Sequence, residues 1–342
     1  MRRHVGGNRA SAKATTTTTV RAPDSLREMQ IVMGRGNITV LGEDRTDIQV
    51  DLNVTSSGYD AAEADGLAKA TMVKFDEAGP LLIAKVVYPE PGQQRCTLDI
   101  RVPRRLGIRI DEKNGVLKVN HVASVVVGTG RGESHVANVA GAVQVTQRGS
   151  TITVTDVSSL RLTTLSGAEV TVAKVHGDAN FALQGGQLRA EEIDGAIEVE
   201  ARNTDVRFAK LEKNRRALRI NATNGEVVLA GVQTEARIEG RDTDIRVDLP
   251  VASTLSIYNE GDESIELTAP GDGFTLDAVT TEGRLTVDAA LEKAGAKVIG
   301  SNEPGGSSGN GRQEFRAAAA IRGGGPTITL RASRGDIVLR SR

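Results

Sequence analysis

Residues 170–199 read VTVAKVHGDANFALQGGQLRAEEIDGAIEV, and this stretch decides the fold. Val170 and Val172 flank the polar Thr171, Val175 stands alone three positions on, and Phe181 and Leu183 flank Ala182. At an offset of 18 residues the grammar returns as Leu188/Ala190 and the lone Ile193, followed by the second pair Ile197/Val199. An apolar-x-apolar pair has period two, so both members share one face of a short strand while the middle residue faces water. A helix fails as an alternative, because nothing in 114–290 keeps a 3.6-residue period over three turns.

Working outward, the same unit recurs through most of the chain. First pairs run from Leu117/Val119 through Ile152/Val154, Val206/Phe208, Val227/Leu229 and Ile245/Val247 to Leu285/Val287. Second pairs run from Val125/Val127 through Leu160/Leu162, Leu218/Ile220 and Ala236/Ile238 to Phe274/Leu276. The lone positions are Val122, Val139, Val157, Val175, Ile193, Leu211 and Val232, at spacings of 17, 18, 18, 18, 18 and 21. Two short strands per 18-residue repeat make one coil that cannot bury its own inward side chains, whereas stacked coils can. The fold expected is all-β: a single-chain β-solenoid of about ten coils, with aliphatic columns inside. Turn residues fall between the strands at Asn114-Gly115, Ser166-Gly167, Asn203-Thr204, Asn224-Gly225, Asp242-Thr243 and Glu282-Gly283. Positive φ is cheap at such positions.

Composition fits this reading. Of 342 residues, 2% are aromatic and none is Trp, as a narrow aliphatic interior requires. The 43 Lys and Arg against 44 Asp and Glu give a net charge of −1, which argues against a nucleic-acid partner. The single cysteine excludes an intrachain disulfide and a Cys-rich zinc site. No apolar run of about 18 residues occurs, so no transmembrane segment is expected.

The N-terminal part reads differently. Residues 1–24, with the tract Thr15–Thr19, lack core-forming content and read as a disordered tail or as the remnant of a longer export region. Arg2 and Arg3 imitate the start of a secretory signal, but no apolar stretch of roughly 7–15 residues follows. Residues 25–112 read as a β-rich capping module: strands at Gln30–Met33, Ile38–Leu41 and Ile48–Val54, then one helix. Asp60 and Glu63 have capping-box spacing ahead of the stripe Ala64, Leu67, Ala68, Thr71, Met72 and Phe75. Leu81–Tyr88 and Arg95–Val102 are expected to form a hairpin closed by Pro89-Glu90-Pro91-Gly92. The solenoid proper occupies 113–299, a flexible Gly/Ser-rich excursion 300–326, and terminal strands 327–342 complete the stack.

The segment Ile100-Arg-Val-Pro-Arg-Arg105, the Asn-Gly-x-Val coil starts and the ending Gly323-Gly-Gly-Pro-Thr-Ile-Thr-Leu-Arg-Ala-Ser-Arg-Gly-Asp-Ile-Val-Leu339 resemble the bacterial putative-adhesin family of β-strand-repeat proteins. The resemblance covers nearly all of 25–342. It implies a solenoid-like β fold, a location at the cell envelope or outside the cell, and no catalytic residues to carry over. A cytoplasmic location is the alternative, since the chain carries no visible signal or anchor.

No catalytic, cofactor-binding or metal-ligating residue stands out. His4, His121, His135 and His176 do not pair with one another or with Cys96 at ligand spacing. His135 falls 18 after Leu117, so either it points inward or a register shift brings Val136 inward. Cys96 alternates with Leu98, Ile100 and Val102 and reads as core. Arg334-Gly335-Asp336 follows the coil-start grammar, and Gly128-Thr-Gly-Arg-Gly132 lacks the lysine and helix of a phosphate loop. The outward arginines Arg189–Arg207 and Arg219–Arg237 form basic strips that suit an anionic glycan or lipid surface. The function read from this is a non-enzymatic, adhesin-like or structural interaction module whose partner is an envelope glycan, a lipid surface or a protein. The alternatives are a divergent β-helix carbohydrate-active enzyme, with carboxylates gathered on adjacent rungs, and a scaffold that associates end to end.

Overall fold

The computed structural model describes residues 10–90, 94–111, 113–302 and 313–342. The fold is all-β, with two short α-helices among the described residues. The chain divides into two compact units, Met1–Thr153 and Val154–Arg342, rather than at the 112/113 boundary expected from the repeat.

The strands of the first unit are β1 (Ala10–Arg21), β2 (Glu28–Val32), β3 (Gly36–Glu43), β4 (Asp47–Gly58), β5 (Met72–Ala78), β6 (Leu81–Val87), β7 (Arg95–Pro103), β8 (Gly107–Ile110), β9 (Lys113–Asn114), β10 (Leu117–Asn120), β11 (Ser124–Arg131) and β12 (Ser134–Gln147), with α1 at Ala61–Ala70. Most of them build two parallel ladders. β2 pairs with β6 on one edge and β8 on the other, and β3 likewise lies between β7 and β10. The rung 28–43 is therefore sandwiched between 81–103 and 107–120, although it precedes both in sequence. The backbone groups of this rung find ladder partners on both sides, which a terminal rung at an open edge would leave unpaired.

Three expectations are corrected in this unit. Ala10–Arg21, inside the segment read as a disordered tail, is a regular strand antiparallel to β4, in register from Ala10 opposite Gly58 to Arg21 opposite Asp47. Its threonines bring few apolar atoms but favour extended backbone, and the edge of β4 supplies a full set of partners. Residues 1–9 lie outside the described segments. The hairpin expected of 81–88 with 95–102 does not form: β6 pairs antiparallel with β5, and β7 pairs antiparallel with β4. Pro91-Gly92 lies outside the described residues. The helix is also shorter than its stripe, ending at Ala70, while Phe75 belongs to β5. Its start is as expected: the Asp60 carboxylate accepts from the Glu63 amide at 2.8 Å, and Glu63 accepts from the Tyr59 amide at 2.5 Å.

The second unit begins within β13 (Ser150–Thr164) and continues with β14 (Ala168–Val175), β15 (Ala179–Ile193), β16 (Ile197–Ala209), β17 (Leu218–Ala230), β18 (Ala236–Asp248), β19 (Leu255–Glu260), β20 (Ile265–Ala269), β21 (Phe274–Thr281), β22 (Leu285–Val287), α2 (Ala289–Lys293), β23 (Val298–Asn302), β24 (Gln313–Ile321), β25 (Thr327–Ala332) and β26 (Ile337–Ser341). Here too the strands pair in parallel. β15 and β16 stay in register from Ala179 opposite Ile197 to Glu191 opposite Ala209. The offset grows to 21 between β16 and β17. A 3-10 turn at Leu211–Lys213 lies in that connection, and the buried Asn214 after it donates to the Ile193 and Gly195 carbonyls at 3.0 and 2.8 Å.

The C-terminal strands do not close the stack in sequence order. β25 inserts between β19 and β21, and β26 between β20 and β22. The 300–326 segment is likewise not a plain excursion. β23 and β24 extend the sheet antiparallel from β21, while 303–312 lie outside the described residues.

The lone aliphatic positions are buried in both units. Val122 and Val139 are buried in the first, and Val157, Val175, Ile193, Leu211 and Val232 in the second. Val175 and Ile193 lie directly opposite each other in the ladder. Burying each such side chain contributes about 1.5–3 kcal/mol. Before each of these positions the backbone turns left-handed: at His121 and Asn138 in the first unit, and at Asp156, Lys174, Glu192, Lys210 and Gly231 in the second. A single αL residue redirects the strand so that the next side chain points inward. A second set of αL residues, Asn203, Asn224 and Asp242, follows the expected turns.

Candidate functional site

Fixed register turns the outward residues of the second unit into rows that cross the strands. Thr163 lies beside Ala182, then Glu200, Asn221, Glu239 and Tyr258. Two residues further along each strand a parallel row runs Gln184, Arg202, Thr223, Arg241 and Glu260. Both rows line a groove of about 750 Å³, to which Leu183, Ala201, Ala222 and Gly240 of the intervening position also contribute. Those four inner positions are apolar or small, so the strand backbone comes close to the surface between two walls of longer side chains. With strands about 4.8 Å apart, six strands give walls on the order of 24 Å long.

The side chains at the β18–β19 end hold one another. Arg237 donates from Nε and Nη2 to Glu239 Oε1 at 2.9 and 2.6 Å. Its guanidinium lies 5.7 Å from the centroid of the Tyr258 ring, and Tyr258 remains 42% exposed. Arg241 donates through Nε and Nη2 to Glu260 Oε2 at 3.2 and 3.0 Å. Toward the middle of the groove, Glu200 and Arg202 are exposed and make no ion pair among the described residues. The groove thus presents paired and unpaired charges, amides, hydroxyls and one ring.

The other outward face of this unit behaves differently. Arg207 reaches Glu226 at 2.7 Å, Arg246 reaches the same carboxylate at 2.8 Å, and Arg189 contacts Glu169 at 3.4 Å. The hydrogen bond to Glu226 holds the Arg207 guanidinium above its ordinary pKa. The basic strip expected at Arg189–Arg207 is therefore neutralised across neighbouring strands. Arg219 and Arg237 do lie side by side, but Arg237 is bound to Glu239.

The remaining residues singled out by sequence fall into structural places. His135 is not inward. Leu117 lies opposite Ser134, and Val136 is the buried residue. The inward Ser134 donates to Gln147 Oε1 at 2.6 Å, a satisfied buried pair, and His135 lies 3.5 Å from Glu133. Cys96 is buried beside Tyr88, and desolvation raises its thiol above the ordinary value. In the 334–336 tripeptide, Arg334 binds Asp262 at 2.5 Å, and Asp336 accepts from the Arg284 amide at 2.8 Å. A side chain at Gly335 would meet the Glu263 carbonyl at 1.8 Å, so the tripeptide is a packed corner. Gly130 and Arg131 continue β11, paired with β9. Among the described residues no group of three or more metal-ligating side chains gathers, and no helix is long and apolar enough to cross a membrane.

No family model matches the chain, and no curated protein matches it. Several solved structures do. One is a putative adhesin from Parabacteroides distasonis, with a TM-score of 0.43 and 12% identity over 75% of this chain and 97% of that one. A putative adhesin from Parabacteroides merdae has a TM-score of 0.31 and 10% identity over 75% and 96%. A putative cell adhesion protein from Clostridium sporogenes has a TM-score of 0.21 and 8% identity over 97% and 100%. Their names coincide with the family that the sequence resembles. At these similarities no residue role passes from them to this chain.

Proposed function

We propose that the chain is a non-enzymatic, adhesin-like interaction module of the bacterial cell surface, built as a β-solenoid. The groove of the second unit is its contact surface. The solenoid reading is supported by parallel pairing at offsets of 18 to 21 residues and by the buried lone aliphatics. The surface location is supported by the sequence resemblance. One observation carries the functional reading: the in-register walls Thr163–Tyr258 and Gln184–Glu260, which hold recognition chemistry on a rigid ladder. Six paired strands fix these side chains before any partner arrives, which lowers the ordering cost of binding.

A hydrolase would draw on Glu200 and Glu239, two strands and about 9.6 Å apart by strand spacing, near the separation of an inverting pair. Both are exposed, and Glu239 is ion-paired with Arg237. A general acid needs burial or a neighbouring carboxylate to raise its pKa, and neither residue has that environment. Binding is the better account.

Beads coated with the purified chain test the reading on bacterial and epithelial cell surfaces. Adhesion above an albumin-coated control is expected, with its loss in Ala182→Trp, which fills the groove. Adhesion equal to the control, or unchanged by that substitution, overturns it. So does release of reducing sugar from glycans that Glu200→Gln abolishes.

A further inference from the structure

We infer that the groove binds a linear, uncharged polysaccharide laid across the strands. This rests on the reading of the groove as the contact surface and adds the chemical class of its ligand. Charge is the first argument: Glu200, Glu239 and Glu260 are matched by Arg202, Arg237 and Arg241 along the groove. A balanced site gains little by releasing counterions from a polyanion, so heparin-like chains, nucleic acid and anionic lipid are poor occupants.

Hydrogen-bonding chemistry is the second argument. The walls alternate acceptors (Glu200, Glu239) with donors (Arg202, Arg241) and groups that do both (Asn221, Thr223). Sugar hydroxyls donate and accept at once, and planar carboxylate, amide and guanidinium groups engage neighbouring hydroxyls in pairs. Tyr258 supplies the apolar element. Its ring, steadied by Arg237 and 42% exposed, offers a face for the C–H side of a pyranose.

An extended peptide fits less well. Strands β15 to β19 are paired on both edges, so no free backbone is available for strand addition. The groove also lacks deep apolar pockets for side chains. Its length, on the order of 24 Å by strand spacing, suits several consecutive sugars.

The test is titration calorimetry of the full chain with cellohexaose and chitohexaose, with heparin as the polyanion probe. At least one neutral hexamer is expected to bind. Affinity should fall about fivefold or more in Tyr258→Ala and in Glu200→Gln, and stay near wild type in Tyr258→Phe and in Thr171→Ala on the other face. No binding of either hexamer, binding indifferent to Tyr258→Ala, or preferential binding of heparin overturns the inference. If hexamers fail while bead adhesion still depends on the groove, the ligand class falls and the contact surface stands. Bead adhesion indifferent to the groove removes both.

Discussion

His176 Nε2 lies 2.9 Å from Asp156 Oδ1, and its Nδ1 lies 3.6 Å from Asp194. The imidazole therefore staples three successive turns of the second unit. The hydrogen bond to Asp156, opposed by desolvation and aided by Asp194, raises the His176 pKa above its ordinary value. A raised pKa in the folded state stabilises the fold at pH values below the unfolded pKa, about 6.5. That contribution is lost as pH rises through the folded value. The melting temperature of the wild type relative to His176→Gln should therefore shrink from pH 5.5 to pH 8.5. With the imidazole half exposed, the difference stays under about 1 kcal/mol. A gap that widens with pH contradicts the assignment.

Ile193 is buried opposite Val175 in the aliphatic column. Ile193→Ala removes packed methyl groups from a site held by strands on both sides, so it should cost about 2–5 kcal/mol in urea unfolding. Thr171→Ala, on the exposed face of β14, should stay within about 0.5 kcal/mol. Equal effects at the two positions would show that Ile193 is not packed.

The left-handed corners give a prediction of opposite sign at two sites. Gly186 has φ 90°, and a Cβ there would come within 2.1 Å of the Ala168 carbonyl, so Gly186→Ala should cost more than about 2 kcal/mol. Lys174 occupies αL with a side chain, at φ 58°. Lys174→Gly removes that strain and should raise stability by about 0.5 kcal/mol. Calorimetric melting of both variants checks the pair, and destabilisation by Lys174→Gly refutes the corner assignment.

β25 and β26 lie inside the ladders, between β19 and β21 and between β20 and β22. Removing 327–342 should unfold β21 and β22 and expose the 274–287 segment to protease, because Ile328, Leu330, Ile337 and Leu339 are buried. A truncated chain as protease-resistant as the full one contradicts the insertion.

The rung was legible because its grammar is local. Val122, Val139, Val157 and their successors announce themselves by two-residue alternation around a lone aliphatic. What depends on distant partners was not. The placement of β2 and β3 between later strands, and of β25 and β26 between earlier ones, leaves no mark on local pattern. The Thr15–Thr19 tract lacks apolar alternation, yet backbone pairing with β4 orders it. Phe75 fits a helical stripe and a strand equally well until β6 supplies a partner. The groove was missed because Glu200, Asn221 and Glu239 align only after the three-residue turn at Leu211–Lys213 is counted. Ala182 belongs to that same row rather than beside Glu198, and aligning the strands on the 21-residue step would have shown it.

The groove exists only if register places Glu200 beside Asn221, with Glu239 one strand beyond. Cysteine pairs in a Cys96→Ser background measure this directly under mild oxidation. The neighbouring Cα atoms of Glu200→Cys and Asn221→Cys fall within disulfide reach, so this pair should cross-link rapidly, whereas Glu200→Cys with Glu239→Cys, about 9.6 Å apart by strand spacing, should not. Faster cross-linking of the 200/239 pair, or none at 200/221, would dismantle the wall and with it the proposed contact surface.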